Sequence, residues 1–354
     1  DSIDKAACSD HGLMVFNDPV SNGRSVVELV LTHLIALSRR LYETNHEIHK
    51  NEWNKNARDR YEIKGKKLGI IGLGKIGRQV ARICEHLGLE VAFFDNRPVA
   101  NEIGMEMGWE SYADMGELFA NSDLVTVHIS ARDCYGSDNT NLLDPYLEQM
   151  GAKRPDTSPR IFLNLARGNI YSSGALVKAV SSGAIKRAAV DVYPEEPAPG
   201  ENNWKNPYAE YPQIICTPHI GAATSEAQPR IAARVSKTIA QFSRYGSLRD
   251  CVYSPTYSLS VANEARGKTV LAVVHSTARG TKKAVTDAIY QAEANTLGSY
   301  QKDFEVGLAY DLSVLDRPLP EAEIKKIIEL ATSFTNNPRP IRAVRQINVP
   351  EKGW

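Results

Sequence analysis

Residues 68–98 read LGIIGLGKIGRQVARICEHLGLEVAFFDNRP, and three glycines, Gly72, Gly74 and Gly77, stand there in G-x-G-x-x-G spacing. Three glycines alone make ordinary tight turns. Here the apolar run before them predicts a buried strand, and KIGRQVARICEHLG predicts a helix. EVAFFD predicts a second strand, ending in Asp95 eighteen residues after Gly77. Strand, glycine turn, helix and acid-tipped strand together predict a dinucleotide site. Gly72 permits the tight turn, Gly74 lets a pyrophosphate approach the backbone, and Gly77 lets helix and strand pack closely. The helix N-terminus offers unpaired N–H groups to the phosphates. Asp95 is placed to accept from the ribose hydroxyls, and its charge repels a 2′-phosphate. That favours NAD over NADP, a preference that Arg97, two residues on, weakens.

The same rhythm extends outward. DMGELFANS predicts a helix and DLVTVHIS a strand, and then come IFLNLA, SGALVKAVSSG, RAAVDV and IICTPH. Short apolar runs alternating with helices predict a parallel sheet covered on both faces, a doubly wound α/β fold of Rossmann type. Upstream, SNGRSVVELVLTHLIALSRRLYETNHEIHKNEW predicts a long helix capped by Ser25. A further helix is expected over residues 225–245. Beyond CVYSPTYSLSVANEARGKT, a strand, a helix, two strands, a helix and a last strand follow, the βαββαβ order of a ferredoxin-like domain.

Composition narrows the function. Lys plus Arg and Asp plus Glu number 42 each in 354 residues. A zero formal charge gives no long-range field for nucleic acid or an anionic membrane. The five cysteines, Cys8, Cys84, Cys134, Cys216 and Cys251, form no CxxC pair and fit a reducing, cytoplasmic setting. No apolar run reaches the length of a membrane span, no signal-peptide pattern opens the chain, and no metal-ligand cluster is expected.

Three features fall just beyond strand ends: Arg167 in NLARGN, Asp191, Glu195 and Glu196 in AVDVYPEEP, and His219 in TPHIGAAT. In an open parallel sheet such positions line the ligand crevice. Each has a bland alternative. Arg167 fits a surface ion pair, the glutamates a solvated turn, and His219 a satisfied core histidine. Together, behind a dinucleotide motif, they suit hydride transfer. Histidine titrates near working pH, a carboxylate beside it fixes the ring, and a guanidinium holds a carboxylate and polarises a carbonyl.

These residues resemble the D-isomer-specific 2-hydroxyacid dehydrogenase family, within it the branch that oxidises 3-phospho-D-glycerate in the serine pathway. VFNDPVSNGRSVVELV, EWNK, GKKLGIIGLGKIG, NLARGN, AVDVYPEEPA, TPHIGAATSEAQ and CVYSP carry the likeness. It runs from the first residues to about residue 255 and more loosely to the end. The resemblance implies catalytic roles for Arg167, Glu196 and His219, with His219 as acid–base. The glutamate directly before proline, not Glu195, is the one it favours. It implies NAD contacts at Gly72, Gly74, Lys75, Ile76, Gly77, Asp95, Leu165, Ala166, Asp191 and Gly221, with Asp191 holding the nicotinamide carboxamide. Asn22 matches a loop near the substrate. Departures stand at HISARDCYGSDNT and MGAKRPDTSPRIF, expected to reshape the rim of the cofactor pocket, and at NIYSSGAL. Rival functions are a glyoxylate or hydroxypyruvate reductase and a non-enzymatic NAD-sensing corepressor.

The resemblance also implies an ACT-like regulatory domain over residues 266–354, with His275, Thr277 and Asn295 at regulatory positions and assembly as a homo-oligomer, dimer or tetramer. An assembly-only module and a working serine sensor are both open readings; threonine stands where the family has asparagine, so serine inhibition is expected to be weak or absent. The remaining divisions expected are a remnant of a flavodoxin-like substrate domain at 1–22, an NAD domain at 23–210, a return to the substrate domain at 211–250 and a linker at 251–265. The chain opens DSIDKAACSD, without Met. By resemblance this lies within the last turn of the larger part of a split substrate domain, so the chain alone is expected to bind NAD but turn over poorly or not at all.

Overall fold

The computed structural model describes residues 3–132, 137–198, 200–201, 203–255, 257–304 and 306–352. The chain divides into two compact units, Val20–Gln228 and Asp1–Pro19 with Pro229–Trp354. The second unit opens with α1 (Lys5–Asp10), capped by Asp4, whose side chain accepts from the Ala7 N–H.

The unit Val20–Gln228 begins with α2 (Gly23–Ser38), which buries Val26, Val27, Val30, Leu34 and Leu37 on one face. Asn22, not Ser25, holds the cap position; Ser25 is buried inside the helix, with its hydroxyl 2.9 Å from that of Thr224. Arg40, in the left-handed region at φ 55, breaks the long helix expected here, and α3 (Leu41–His49) follows. The next elements alternate as β1 (Lys67–Ile71), α4 (Lys75–His86), β2 (Glu90–Phe94), α5 (Pro98–Glu106), β3 (Glu110–Ser111), α6 (Met115–Asn121) and β4 (Leu124–Val127). After β4 come β5 (Ile161–Asn164), α7 (Ser173–Ser181), β6 (Arg187–Val190) and β7 (Ile214–Cys216). All pair in parallel in the order β3-β2-β1-β4-β5-β6-β7.

The central strands β1, β4, β5 and β6 are buried on both faces, as their apolar runs require. Ile71, Val125, Val127, Phe162, Ala188 and Val190 join the core on one side, and Leu68, Ile70, Leu124, Ile161, Leu163 and Ala189 the core on the other. Because β7 pairs with β6, residues 211–228 belong to this unit and not to a returning segment; the division falls after Gln228.

In the other unit, α8 (Ala227–Tyr245) contributes all but its first two residues. The elements β8 (Thr269–Ser276), α9 (Thr281–Gln291), β9 (Thr296–Asp303), β10 (Leu308–Leu315), α10 (Glu321–Thr335) and β11 (Ile341–Asn348) give an antiparallel sheet in the order β11-β8-β10-β9. This is the βαββαβ ferredoxin-like arrangement. Residues 251–265, expected as a linker, are instead packed. Cys251, Tyr253, Leu259, Val261 and Ala265 are buried in one core with Val270, Tyr310 and Leu312 of the sheet. The opening residues pack there too: Val15 is in that core and Phe16 bridges to Cys251.

Candidate active site

The glycine turn between β1 and α4 has the geometry that its spacing asks for. Gly72 lies at φ +91, and a Cβ there would come within 2.7 Å of the His128 carbonyl oxygen. A Cβ on Gly77 would collide with the Gly72 carbonyl oxygen. Gly74 differs. A Cβ built on it meets nothing nearer than an Arg97 nitrogen at 3.9 Å, so the backbone there is open to a ligand. Gly74 caps α4 without a side-chain bond, and Lys75, Ile76 and Gly77 form its first turn. An open glycine before bare helical N–H groups fits a pyrophosphate. Asp95 stands at the end of β2 and accepts from the Leu73 N–H at 2.8 Å. Burial pushes its carboxyl up, but the Arg97 side chain and backbone and the Leu73 N–H outweigh burial and hold it below the usual carboxylate range. These residues fit NAD.

The other end of the site is built from three turns at strand ends. After β5, buried Asn164 ties its own turn. Its Oδ1 accepts from the Ala166 N–H at 3.0 Å and its Nδ2 donates to the Arg167 carbonyl at 2.8 Å. Leu165 is buried, and Arg167 is exposed. Gly168 then passes so close to the Tyr193 backbone that no side chain fits. After β6, buried Asp191 accepts from the Thr217 hydroxyl at 2.6 Å, the Ile220 N–H at 2.9 Å and the Gly221 N–H at 2.7 Å. It thereby fixes the loop after β7.

That loop carries His219, whose backbone is left-handed at φ 54. A histidine held there is strained locally, and such strain is found at working sites. His219 Nδ1 lies 2.8 Å from Glu196 Oε2, and Glu196 Oε1 accepts from the Tyr193 N–H at 3.2 Å. The imidazole side chain is 51% exposed. Of the two glutamates, Glu196 is the one that reaches His219. The Glu195 carbonyl accepts from Trp204 Nε1 at 2.8 Å.

The site residues therefore fall into three groups: the glycine turn with Asp95, the Asp191–Gly221 loop, and the Glu196–His219 pair. The Arg167 turn packs against the Tyr193 segment through Gly168. Asn22 caps α2. His275, Thr277 and Asn295 lie in the other unit. There His275 is buried with Nδ1 2.7 Å from the Ser276 carbonyl oxygen, while Thr277 and Asn295 are exposed. Asn164, Thr217 and Tyr193 hold the turns but escape a reading of the sequence, since polar residues beside a strand end read as ordinary loop text. The rim expected at 128–140 lies partly outside the described residues, at 133–136. Burial pushes His128, at its start, down to about 3. Among the described residues no group of three or more His, Cys, Asp or Glu is arranged to hold a metal, and no helix is long and apolar enough to cross a membrane.

Comparison with known proteins bears on the family. Residues 31–221 match the model of the D-isomer specific 2-hydroxyacid dehydrogenase NAD binding domain. D-3-phosphoglycerate dehydrogenase of Haemophilus influenzae is 33% identical over 86% of this chain and 71% of that protein. The Escherichia coli protein of the same name is 32% identical over 84% of this chain and 68% of its own length. Among solved structures, a glyoxylate reductase from Paecilomyes thermophila superposes with a TM-score of 0.59 at 25% identity, over 71% of this chain and 72% of that one. The NAD complex of Staphylococcus aureus formate dehydrogenase gives 0.57 at 28% identity, over 68% of each chain. With the family's NAD-binding domain matched over residues 31–221 and a third of the positions identical to such a dehydrogenase over most of the chain, the chain belongs to the NAD-dependent D-isomer specific 2-hydroxyacid dehydrogenases.

Proposed function

We propose that the chain oxidises 3-phospho-D-glycerate to 3-phosphohydroxypyruvate, the first step of L-serine formation. The observation that carries the chemistry is the 2.8 Å contact between His219 and Glu196 beside an NAD site. The observation that favours this substrate is the identity to proteins named D-3-phosphoglycerate dehydrogenase over most of the chain.

NAD supplies the hydride acceptor. His219, through the nitrogen not facing Glu196, takes the proton of the substrate hydroxyl and returns it in the reverse direction. Glu196 orients the ring and stabilises the imidazolium that forms. Arg167 offers a planar fork of N–H donors to the substrate's carboxylate and to the oxygen that becomes a carbonyl. Asp191 keeps the His219 loop in place. A glyoxylate or hydroxypyruvate reductase is the second reading, favoured by the likeness to the glyoxylate reductase structure.

The ferredoxin-like unit is, in this proposal, an ACT-like module that assembles the chain into a cytoplasmic dimer or tetramer. Exposed Thr277 gives it little grip on serine. The test is NADH oxidation with 3-phosphohydroxypyruvate, hydroxypyruvate and glyoxylate compared. The highest kcat/KM is expected for the phosphorylated acid, and His219→Ala is expected to lower kcat by roughly two to four orders of magnitude. A higher kcat/KM for glyoxylate replaces the first reading with the second.

A further inference from the structure

Asp95 has no lone pair to spare for a ribose. Its Oδ1 accepts from the Arg97 backbone N–H at 2.9 Å and from Arg97 Nε at 2.9 Å. Its Oδ2 accepts from Arg97 Nη2 at 2.7 Å and from the Leu73 N–H at 2.8 Å. A carboxylate offers about four acceptor positions, so this set is full. Two of the donors are backbone groups of the turns that build the pocket. The other two belong to one guanidinium on a side chain that is 42% exposed. It can swing away while the backbone donors stay. Arg97 itself is anchored as the cap of α5, with Pro98 beginning the helix.

The guanidinium also lies over the mouth of the phosphate-binding turn, since its Nη2 is the atom nearest to the open side of Gly74, at 3.9 Å from a Cβ position there. A ribose hydroxyl can donate to Asp95 only by displacing Arg97. The displaced guanidinium stays tethered beside the 2′ position. A lone Asp95 would meet a 2′-phosphate with a bare negative charge. Paired with Arg97 it presents a neutral site, with a fork that matches phosphate in two parallel hydrogen bonds.

We propose that Arg97 is the residue that sets the choice between NAD and NADP in this chain, a latch that rests on Asp95 and turns to a 2′-phosphate when one arrives. The adenosine end therefore accepts the 2′-phosphorylated cofactor as well as NAD. The inference rests on the cofactor site and is independent of which hydroxy acid is the substrate.

Binding tests it without turnover. NADH and NADPH are titrated by fluorescence, and ADP-ribose and 2′-phospho-ADP-ribose by calorimetry, with the unmodified chain, Arg97→Ala and Arg97→Lys. Arg97→Ala is expected to weaken NADPH and 2′-phospho-ADP-ribose by about ten- to a hundredfold, the worth of hydrogen bonds to a charged group. The same variant should hold NADH as tightly as before, or more tightly, because a competitor for Asp95 is gone. Arg97→Lys should fall between, since lysine keeps the charge and loses the fork. Equal weakening of both cofactors overturns the proposal, as does an unmodified chain that shows no NADPH binding at a hundredfold the Kd of NADH. If NADH itself does not bind, the cofactor reading falls together with this one, so the two failures are told apart.

Discussion

Each unit buries an aspartate, and the two are held in opposite ways. Asp123, just before β4 in the dinucleotide unit, has a side chain 2% exposed, and Asp311, in β10 of the ferredoxin-like unit, one 3% exposed. Asp123 accepts from the Lys67 N–H at 2.9 Å, Arg154 Nη2 at 2.7 Å, Arg154 Nε at 3.2 Å and the Ser158 hydroxyl at 2.7 Å. Asp311 has Lys282 Nζ at 3.5 Å and His275 Nε2 at 4.0 Å, and its Oδ1 makes no hydrogen bond. Burial pushes both carboxyls up. Around Asp123 the donors, Arg154 and Ser158 foremost, outweigh burial and bring it below the usual carboxylate range. Around Asp311 the more distant Lys282 and His275 do not, and it stays above that range. Burial alone is therefore a poor guide to whether a charge supports a fold. Donors within hydrogen-bond reach decide the sign.

The largest expected effect tests the satisfied member. Asp123→Ala removes the carboxylate and strands the Arg154 guanidinium and the Ser158 hydroxyl. Breaking one partner of a buried pair costs about 3–5 kcal/mol. Arg154 keeps 27% of its side chain exposed, which places this case at the lower end. At about 2–4 °C per kcal/mol for a unit of this size, the Tm should fall by roughly 6–12 °C. Calorimetry reads it in the transition that NADH raises, since a ligand stabilises the unit that binds it. An unchanged Tm would break the comparison.

The histidine–carboxylate pairs extend the same contrast to function. Glu196 touches His219 at 2.8 Å, whereas Asp311 stands 4.0 Å from His275. Glu196→Gln keeps the shape and loses one charge-assisted hydrogen bond, worth about 1.5–3 kcal/mol. Steady-state assay should show kcat lower by about ten- to a hundredfold, a smaller loss than for His219→Ala. A loss as large as that of His219→Ala would make Glu196 more than an orienting group.

Much of this was legible in the sequence, and the boundary has a physical cause. Gly72, Gly74, Gly77 and Asp95 sit within one strand–helix–strand unit, so spacing alone places them. Strands buried on both faces read as unbroken apolar runs, and TVLAVVHS in β8 announces itself as clearly as KLGII in β1. The Glu196–His219 pair spans 23 residues and came through family likeness, with the geometry agreeing. What stayed hidden is polar and distant. Arg154 and Ser158 reach Asp123 from 31 and 35 residues away, with no periodic signal to mark them. Residues 251–265 look like a linker because their apolar members follow no strand or helix period and are broken by Ser and Pro, yet Tyr253, Leu259 and Val261 are in the core. Ser25 has the chemistry of a cap, and the helix begins two residues earlier, at Gly23.

The smallest expected effect is a gain, from Asp311→Asn. A carboxyl whose folded-state pKa is raised above its unfolded value binds more protons in the folded state between those two values. Stability then falls as pH rises through that window, and the deficit is complete above the raised folded-state value. Asp123 runs the other way. Its contribution is complete above the ordinary carboxylate value and is lost as pH falls through that value toward its lowered folded one. Asparagine at 311 keeps the size of aspartate and needs no desolvation of charge. The ferredoxin-like unit should therefore gain on the order of 1 kcal/mol at neutral pH and lose the part of its pH dependence that Asp311 supplies. Urea unfolding near pH 5 and pH 8 measures both, in the transition that NADH leaves in place. A variant less stable than the unmodified chain at pH 8 would mean that Lys282 and His275 hold Asp311 more firmly than 3.5 and 4.0 Å separations allow.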